Sequence, residues 1–241
     1  MTNLDAVRTD LAPTGTLRAS INLGNAVLAQ GTPEEPRGIT VEIAQQVAQR
    51  LELPLGLVCF GAAKDSLAAV TTGDADLCFL AVDPARAETV AFTAPYVVIE
   101  GAFVVPEGSA ISSSDEVDHP GVRIGVKQGS AYDLYLTRNL QHAELVRGAE
   151  GVEVFAEQDL EVGAGIRVPV TDWAAARGGL RVLEPAFMQI EQAVGTTRER
   201  SEATVTWLTA LVEELKASGF VAEALARSGR RDGVVAPPLA D

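Results

Sequence analysis

The hydrophobic and polar positions of the N-terminal part follow alternating helical and extended periods. The stretch TVEIAQQVAQRL places apolar residues three and four positions apart, which is typical of a helix with one buried face. The stretch ADLCFLAV is almost continuously apolar, as expected of a strand covered on both faces. Thr40 is expected to cap the first helix. Strands are predicted over residues 16–25, 55–60 and 75–82, and helices over 40–51 and 64–73.

This βαβαβ order predicts a parallel sheet with helices on both faces. Ligands of such sheets bind outside the carboxyl ends of the strands. Arg86 follows the third predicted strand, at the first turn of a short helix, and so belongs to such an end. A guanidinium there can hold a carboxylate through two parallel hydrogen bonds. The alternative is a surface arginine paired with Glu88.

A second set of elements begins near residue 122, where VRIGVKQGSAYDLYLTRNL predicts a strand, a glycine turn and a helix. Short strands and a helix follow, and the C-terminal part predicts two amphipathic helices. The extended stretches VIEGAF and QIEQAV are predicted to cross between two halves of the chain. We therefore predict an α/β fold of two Rossmann-like lobes joined by a two-strand hinge. Residues 1–99 and 194–241 would form lobe 1, and residues 100–193 lobe 2.

Composition and charge narrow the classes of partner. The chain has 241 residues, 47% of them apolar, which is enough for a folded core. A net charge of −14 disfavours nucleic acid and anionic membranes. No apolar run approaches the roughly 20 residues of a membrane-spanning helix. The N-terminus shows no secretory signal, so we expect a cytoplasmic protein, or a periplasmic one from which a leader was removed. We also expect a monomer.

The sequence offers few groups for metal binding or covalent chemistry. His119 and His142 are too few for a histidine-rich metal site. Cys59 and Cys78 lie in separate apolar strands, and two strand spacings exceed the reach of a disulfide, so free thiols are expected. We find no Ser-His-Asp set, phosphate loop or metal-ligand spacing. We therefore predict no cofactor, no metal and no catalytic residue.

The run GDADLCFLAVDPARAETVAFTAPY, followed by VRIGVKQGSAYDLYL, resembles the type II periplasmic solute-binding proteins of the polar amino-acid family, family 3-like. The likeness extends from about Leu17 to Ser228. It implies the periplasmic-binding-protein type II fold, with two lobes that close over a small carboxylate-bearing solute in the cleft between them. The solute would be amino-acid-like or an organic acid. The resemblance also implies a permease of an ABC transporter as partner.

The resemblance assigns ligand contacts in lobe 1 to residues that follow predicted strands. Arg86 matches the arginine that clamps the ligand carboxylate. Ala81 matches a residue that offers its backbone N–H. Asn25 replaces an aromatic residue that often stacks on the ligand, and Phe60 is expected to supply another apolar wall.

In lobe 2 the resemblance implies donors at the glycine turn. Ser130 matches a hydroxyl or N–H donor, next to the helix start at Ala131, whose backbone N–H groups can also receive an anion. The alternative is that Ser130 only caps the helix. Lys127 matches a contact to the ligand side chain, or is a solvated lysine. Where relatives place an aspartate that receives the ligand ammonium, this chain has Ile166, with Arg167 beside it.

This departure leaves two alternatives for the ligand. Either it lacks an ammonium group and a second acid group meets Arg167 or Lys127, or its cation meets Glu100 or Glu191. The two glutamates could instead be solvent-facing residues of the hinge strands. For Arg167 the alternative is a salt bridge to the side chains of Asp172 or Glu161.

The fold class leaves two functions open beside solute binding. Some members of the resembled family are dehydratases of cyclohexadienyl acids, in which Glu100, Glu191 or Lys127 would act as a general acid. A cytoplasmic sensor of the same ligand is the other alternative.

Overall fold

The computed structural model describes residues 3–229 and 233–239, in two compact units. Unit 1 comprises Met1–Val98 and Glu191–Asp241, and unit 2 comprises Ile99–Ile190. The predicted lobe boundaries follow residues 99 and 193, whereas the unit boundaries follow residues 98 and 190. The helices are α1 (Leu4–Leu11), α2 (Ile39–Arg50), α3 (Ala63–Thr71), α4 (Pro84–Ala87), α5 (Ala131–Asn139), α6 (Gly151–Glu157), α7 (Arg167–Arg177), α8 (Glu202–Ala217) and α9 (Phe220–Arg227), with a 3-10 turn at Ser114–Glu116. The strands are β1 (Leu17–Asn22), β2 (Gln30–Gly31), β3 (Pro36–Arg37), β4 (Leu55–Phe60), β5 (Leu77–Ala81), β6 (Val90–Pro106), β7 (Arg123–Lys127), β8 (Glu144–Gly148), β9 (Val162–Ile166), β10 (Leu180–Val182), β11 (Met188–Thr197) and β12 (Val234–Val235).

Unit 1 contains the parallel sheet predicted from the N-terminal pattern. β1 lies between β4 and β5 and pairs parallel with both, and β11 pairs antiparallel with β5. All residues of β5 are buried, which agrees with its continuous apolar run. Because β1, β4 and β5 run in the same direction, their carboxyl ends share one edge of the sheet. That edge carries the predicted site residues of lobe 1.

The start of α2 differs from the predicted one. Gly38 is the N-cap, and Thr40 lies inside the first turn, where it is buried. The Thr40 hydroxyl donates to the Leu28 carbonyl at 3.4 Å. Gly38 has φ of 109°, and a Cβ there would lie 2.6 Å from the Leu28 carbonyl oxygen. A residue with a side chain does not fit this close approach, so glycine begins the helix.

Unit 2 also contains three neighbouring parallel strands, and here the antiparallel strand beside them is β6. β7 lies between β8 and β9 and pairs parallel with both, while the part of β6 after Ile99 pairs antiparallel with β9. One apolar cluster under this sheet includes Phe103, Ile124 and Tyr132. The carboxyl ends of β7 and β9 meet at one edge, which carries Lys127 and Ile166 at the last position of each strand.

Several features lie outside the predicted elements. The sequence pattern did not predict α1 or α6. The segment 233–239 runs along β6 in unit 1, where Val234 pairs with Val98.

Cys59 and Cys78 are free thiols on β4 and β5, the two strands that flank β1. Among residues 3–229 and 233–239, no helix is long and apolar enough to cross a membrane, and no group of His, Cys, Asp and Glu side chains is placed to hold a metal ion.

Candidate functional site

Arg86 lies at the carboxyl edge of the unit 1 sheet, in the short helix that follows β5. Asp83 begins this helix and accepts the Ala85 N–H at 2.9 Å. Arg86 is only 3% exposed, so the alternative of a surface arginine is wrong. Its Nη1 donates to the Ala81 carbonyl at 3.1 Å. Burial lowers the pKa of the Arg86 guanidinium, and the nearby charge of Asp83 opposes that effect. A buried guanidinium held in one direction is suited to a bidentate contact with an anion.

The register of β5 and β11 shows where the Ala81 amide points. Val82 N–H donates to the Glu191 carbonyl at 2.8 Å, and Ala81 lies opposite Gln192. In an antiparallel pair this pattern makes Ala81 and Gln192 a pair that exchanges no hydrogen bonds. The Ala81 N–H therefore points away from β11, toward the side of β1. β1 ends at Asn22, near the carboxyl end of β5. The Glu191 side chain itself is exposed.

Asn25 and Phe60 lie at the same sheet edge as Arg86. Asn25 organises the loop after β1, since its Oδ1 accepts the Val27 N–H at 3.3 Å. Phe60 is the last residue of β4, is half-buried and packs against a cluster that includes Val70 and Cys78. Unit 1 thus brings its predicted site residues to the ends of three neighbouring parallel strands.

In unit 2, the residues that follow β7 form a tight turn, here called the 127–130 turn. Gln128 N–H donates to the Gly148 carbonyl at 3.0 Å, and Ser130 N–H donates to the Lys127 carbonyl at 3.1 Å. Gly129 has φ of 73°, a conformation that glycine adopts without strain. Ser130 is buried and caps α5, with its hydroxyl oxygen accepting the Asp133 N–H at 3.1 Å. The capping role is thus present, and the Ser130 hydroxyl also lies in hydrogen-bonding contact with the Tyr132 phenol, a contact that a ligand acceptor would have to replace.

The two cations predicted to meet a second acid group of the ligand both have carboxylate partners. The Lys127 ammonium pairs with the Glu150 carboxylate. Arg167 lies at the start of α7, and its Nε is 2.6 Å from a Glu100 oxygen. Its Nη2 donates to the Glu184 carboxylate at 3.0 Å. Hydrogen bonding to Glu184, with the charge of Glu100, raises the pKa of Arg167.

These contacts correct the expected partners of Arg167. Neither Asp172 nor Glu161 is its partner in the described ion pairs, and Glu161 pairs with Arg123 at 2.9 Å instead. The strand register explains the Glu100 contact, because Gly101 on β6 lies opposite Ile166 on β9. The group formed by Glu100, Arg167 and Glu184 carries a formal charge of −1, and the Glu100 side chain is 43% exposed. An acidic side chain is therefore accessible at this edge, although Ile166 replaces the expected aspartate.

The sequence interpretation missed three carboxylates that hold this part of unit 2 in place: Glu150, Glu184 and Asp133. For Asp133 a signal exists, since Ser-Ala-Tyr-Asp places an acidic residue three positions after a capping serine. For Glu150 and Glu184 no local pattern indicates the partner.

The chain is similar to known proteins in sequence and in fold. The model for bacterial extracellular solute-binding proteins, family 3, matches residues 27–229. No curated protein gives a significant match. A mutant of ArgBP from T. maritima has a TM-score of 0.74 at 16% identity, over 93% of this chain and 99% of that chain. The solute receptor for L-cysteine of Neisseria gonorrhoeae has a TM-score of 0.74 at 19% identity, over 93% and 92%.

A third solved structure bears on the choice between binding and catalysis. It is the ancestral amino acid-binding protein AncCDT-1, described as a precursor of cyclohexadienyl dehydratase. Its TM-score is 0.72 at 18% identity, and the match covers 93% of this chain and 98% of that chain. These similarities confirm the predicted fold class.

Proposed function

Because the chain belongs to the bacterial extracellular solute-binding proteins of family 3, we propose that it binds a small, amino-acid-like carboxylate as the binding component of an ABC transporter. The observation that carries the proposal is Arg86, a guanidinium 3% exposed at the carboxyl edge of a parallel sheet. That edge is where ligands of such sheets bind. The Ala81 N–H would add a donor in unit 1, and in unit 2 the family resemblance assigns donors to Ser130 and Ala131.

The charges of unit 2 favour a ligand that carries a cation as well as a carboxylate. Arg167 and Lys127 are already paired with glutamates, so a second acid group would have to displace those partners. A ligand ammonium finds an accessible carboxylate at Glu100 without breaking any pair. Of the two alternatives left by Ile166, we therefore propose the second, with Glu100 as acceptor. The names of the similar structures, which refer to arginine, L-cysteine and amino acids, agree with this chemistry.

We propose binding without catalysis. The Glu100 carboxylate is engaged by Arg167, whose Nε lies 2.6 Å from a Glu100 oxygen, whereas a general acid must be placed against the substrate group that it protonates. Lys127 is held by Glu150, and Glu191 is exposed. The similarity to AncCDT-1 keeps the dehydratase as the second candidate, although that protein is itself described as amino acid-binding. Incubation with a cyclohexadienyl acid such as prephenate separates the two, since a dehydratase would form an aromatic product.

The experiment that tests the proposal is calorimetry against the twenty L-amino acids and their deaminated hydroxy-acid analogues. We expect one amino acid to bind and its analogue to bind much more weakly. Arg86→Lys should lower the affinity about 30-fold or more, because the loss of a charge-assisted bidentate contact costs on the order of 2–5 kcal/mol.

The matched control is Arg50→Lys, which alters an exposed arginine of unit 1 that pairs with Glu214. Its affinity should equal that of the wild type. An Arg86→Lys protein that binds as tightly as the wild type would show that Arg86 is not the carboxylate clamp. Equal binding of the amino acid and its hydroxy analogue would show that Glu100 receives no ammonium.

A further inference from the structure

The backbone donors of residues 128–130 in the 127–130 turn all have acceptors in unit 2. The N–H groups of Gln128 and Ser130 donate to backbone carbonyls, and Gly129 N–H donates to the Asp133 carboxylate at 2.8 Å. The next donors along the chain are the Ser130 hydroxyl and the N–H of Ala131, the first residue of α5. Helix geometry gives that N–H no acceptor within the helix. The direction of these two donors depends on what holds the turn.

Asp133 makes the contacts that hold the turn from the helix side. Its side chain is 5% exposed, and its two oxygens have different partners. Oδ2 accepts the Gly129 N–H, whereas Oδ1 accepts Arg147 Nε at 3.0 Å. The Asp133 N–H donates to the Ser130 hydroxyl oxygen at 3.1 Å, so Asp133 contacts both Gly129 and Ser130.

Arg147 on β8 completes this arrangement from the neighbouring strand. Besides Asp133, it reaches Thr137 on α5, since its Nη2 donates to the Thr137 hydroxyl at 2.8 Å. The same hydroxyl donates to the Asp133 carbonyl at 2.7 Å. Arg147 also supplies the positive charge that offsets the buried Asp133 carboxylate, which lies one helical turn from the donors of Ser130 and Ala131. Without that charge, a ligand carboxylate at these donors would meet a like charge.

We propose that Asp133, held by Arg147, is a positioning residue that fixes the direction of the Ser130 hydroxyl and the Ala131 N–H for the ligand. This inference rests on the proposed function. Asp133 does not touch the ligand and acts through the turn. Arg147 keeps the Asp133 carboxylate in place and neutralises it, so the two residues work as one unit.

The test uses Asp133→Asn and Arg147→Gln in the full chain. Arg147 is partly exposed, so its replacement keeps the inference testable if the Asp133 variant does not fold. Arg123→Gln is the matched control, because it breaks a similar pair with Glu161 at the opposite end of β7. Two quantities are measured for each protein: backbone amide exchange at residues 129–131 by NMR, and calorimetric affinity for the L-amino acid that the wild type binds most tightly.

In both variants we expect the Gly129 amide to exchange at least about fivefold faster and the affinity to fall about tenfold, the size of one lost hydrogen bond. Arg147→Lys should recover part of both losses, because it restores the charge with fewer donors. The Arg123→Gln protein should match the wild type in both measurements.

Unchanged exchange at residues 129–131 in either variant would overturn the inference, whatever the ligand is. Faster exchange with an affinity within twofold of the wild type would also overturn it. In that case the turn would have been loosened without any effect on ligand binding. If the wild type binds no amino acid, the proposed function fails, and the exchange rates still decide whether Asp133 holds the turn.

Discussion

Asp76 is a buried charge that links several parts of unit 1, and Asp76→Asn tests how much stability it contributes. Its side chain is fully buried. Oδ2 accepts the Arg18 backbone N–H at 2.8 Å and Arg18 Nε at 3.0 Å. Oδ1 accepts Arg18 Nη2 at 2.7 Å and lies 3.5 Å from Arg200 Nη2. One carboxylate thus ties β1 to the residue before β5 and to the segment after β11.

The expected loss of stability depends on which hydrogen bonds of the Asp76 carboxylate an asparagine amide can still make. An asparagine oxygen can take over the two contacts of Oδ2, but the amide nitrogen cannot accept from either arginine at the place of Oδ1. Hydrogen bonds to charged groups contribute about 1.5–3 kcal/mol each. The Arg18 and Arg200 side chains are 25% and 17% exposed, so water can partly replace the lost partner. We therefore expect unfolding of unit 1 to require about 3 kcal/mol less.

The assay is urea unfolding followed by the fluorescence of Trp207, which lies on α8 in unit 1. Trp173, the other tryptophan of the sequence, lies in unit 2 and is replaced by phenylalanine in all the proteins compared, so that the signal reports unit 1. Asp74→Asn is the control, since Asp74 is exposed and should change stability by less than about 0.5 kcal/mol. A loss below about 1 kcal/mol for Asp76→Asn would refute the reasoning and show that both arginines are satisfied by other groups.

Two further predictions concern the C-terminal segment and the thiols. Lys216 donates to the carbonyls of Pro95 at 3.1 Å and Pro237 at 2.8 Å, so Lys216→Met should lower stability by about 1–3 kcal/mol, and an unchanged urea midpoint would contradict this. Burial raises the pKa of Cys78 to about 12, so at pH 8 a thiol reagent should modify it only after unfolding, whereas the partly exposed Cys59 should react slowly in the native protein. Rapid modification of two thiols in the native protein would contradict the second prediction.

The strands and helices that the sequence predicted are those with a clear hydrophobic period. The strand over residues 55–60 has the observed bounds, and the buried run at 75–82 contains β5. α6 was missed because it spans only seven residues and begins at Gly151, where the sequence reads as a loop. A Cβ at Gly151 would lie 2.4 Å from the Ala164 carbonyl oxygen, so the glycine permits a close approach of helix and strand that no periodicity reveals.

The candidate site likewise contains features that local sequence order predicts and contacts that it does not predict. The placement of Arg86 at the sheet edge could be predicted because it depends on local order alone: a buried strand, a turn and a short helix. The partners of Arg167 depend on contacts between residues distant in sequence. Glu100 reaches Arg167 because β6 and β9 pair with Gly101 opposite Ile166, and sequence periodicity does not specify that register.

Residue types alone therefore could not show whether the second charged group of the ligand is an anion or a cation. Taken alone, Arg167 beside Ile166 suggests a site for an anion, as does Lys127. With Glu100 and Glu184 on Arg167 and Glu150 on Lys127, the same residues form groups with a formal charge of −1 and 0. Each cation already has its counter-charge, so a second acid group gains little there, and the accessible carboxylate of Glu100 remains for a cation. In our proposal, the acceptor for a ligand ammonium is therefore Glu100 on β6 and not a residue at position 166, where the resembled family leads us to expect an aspartate, and the proposal of an amino-acid-like ligand depends on that step.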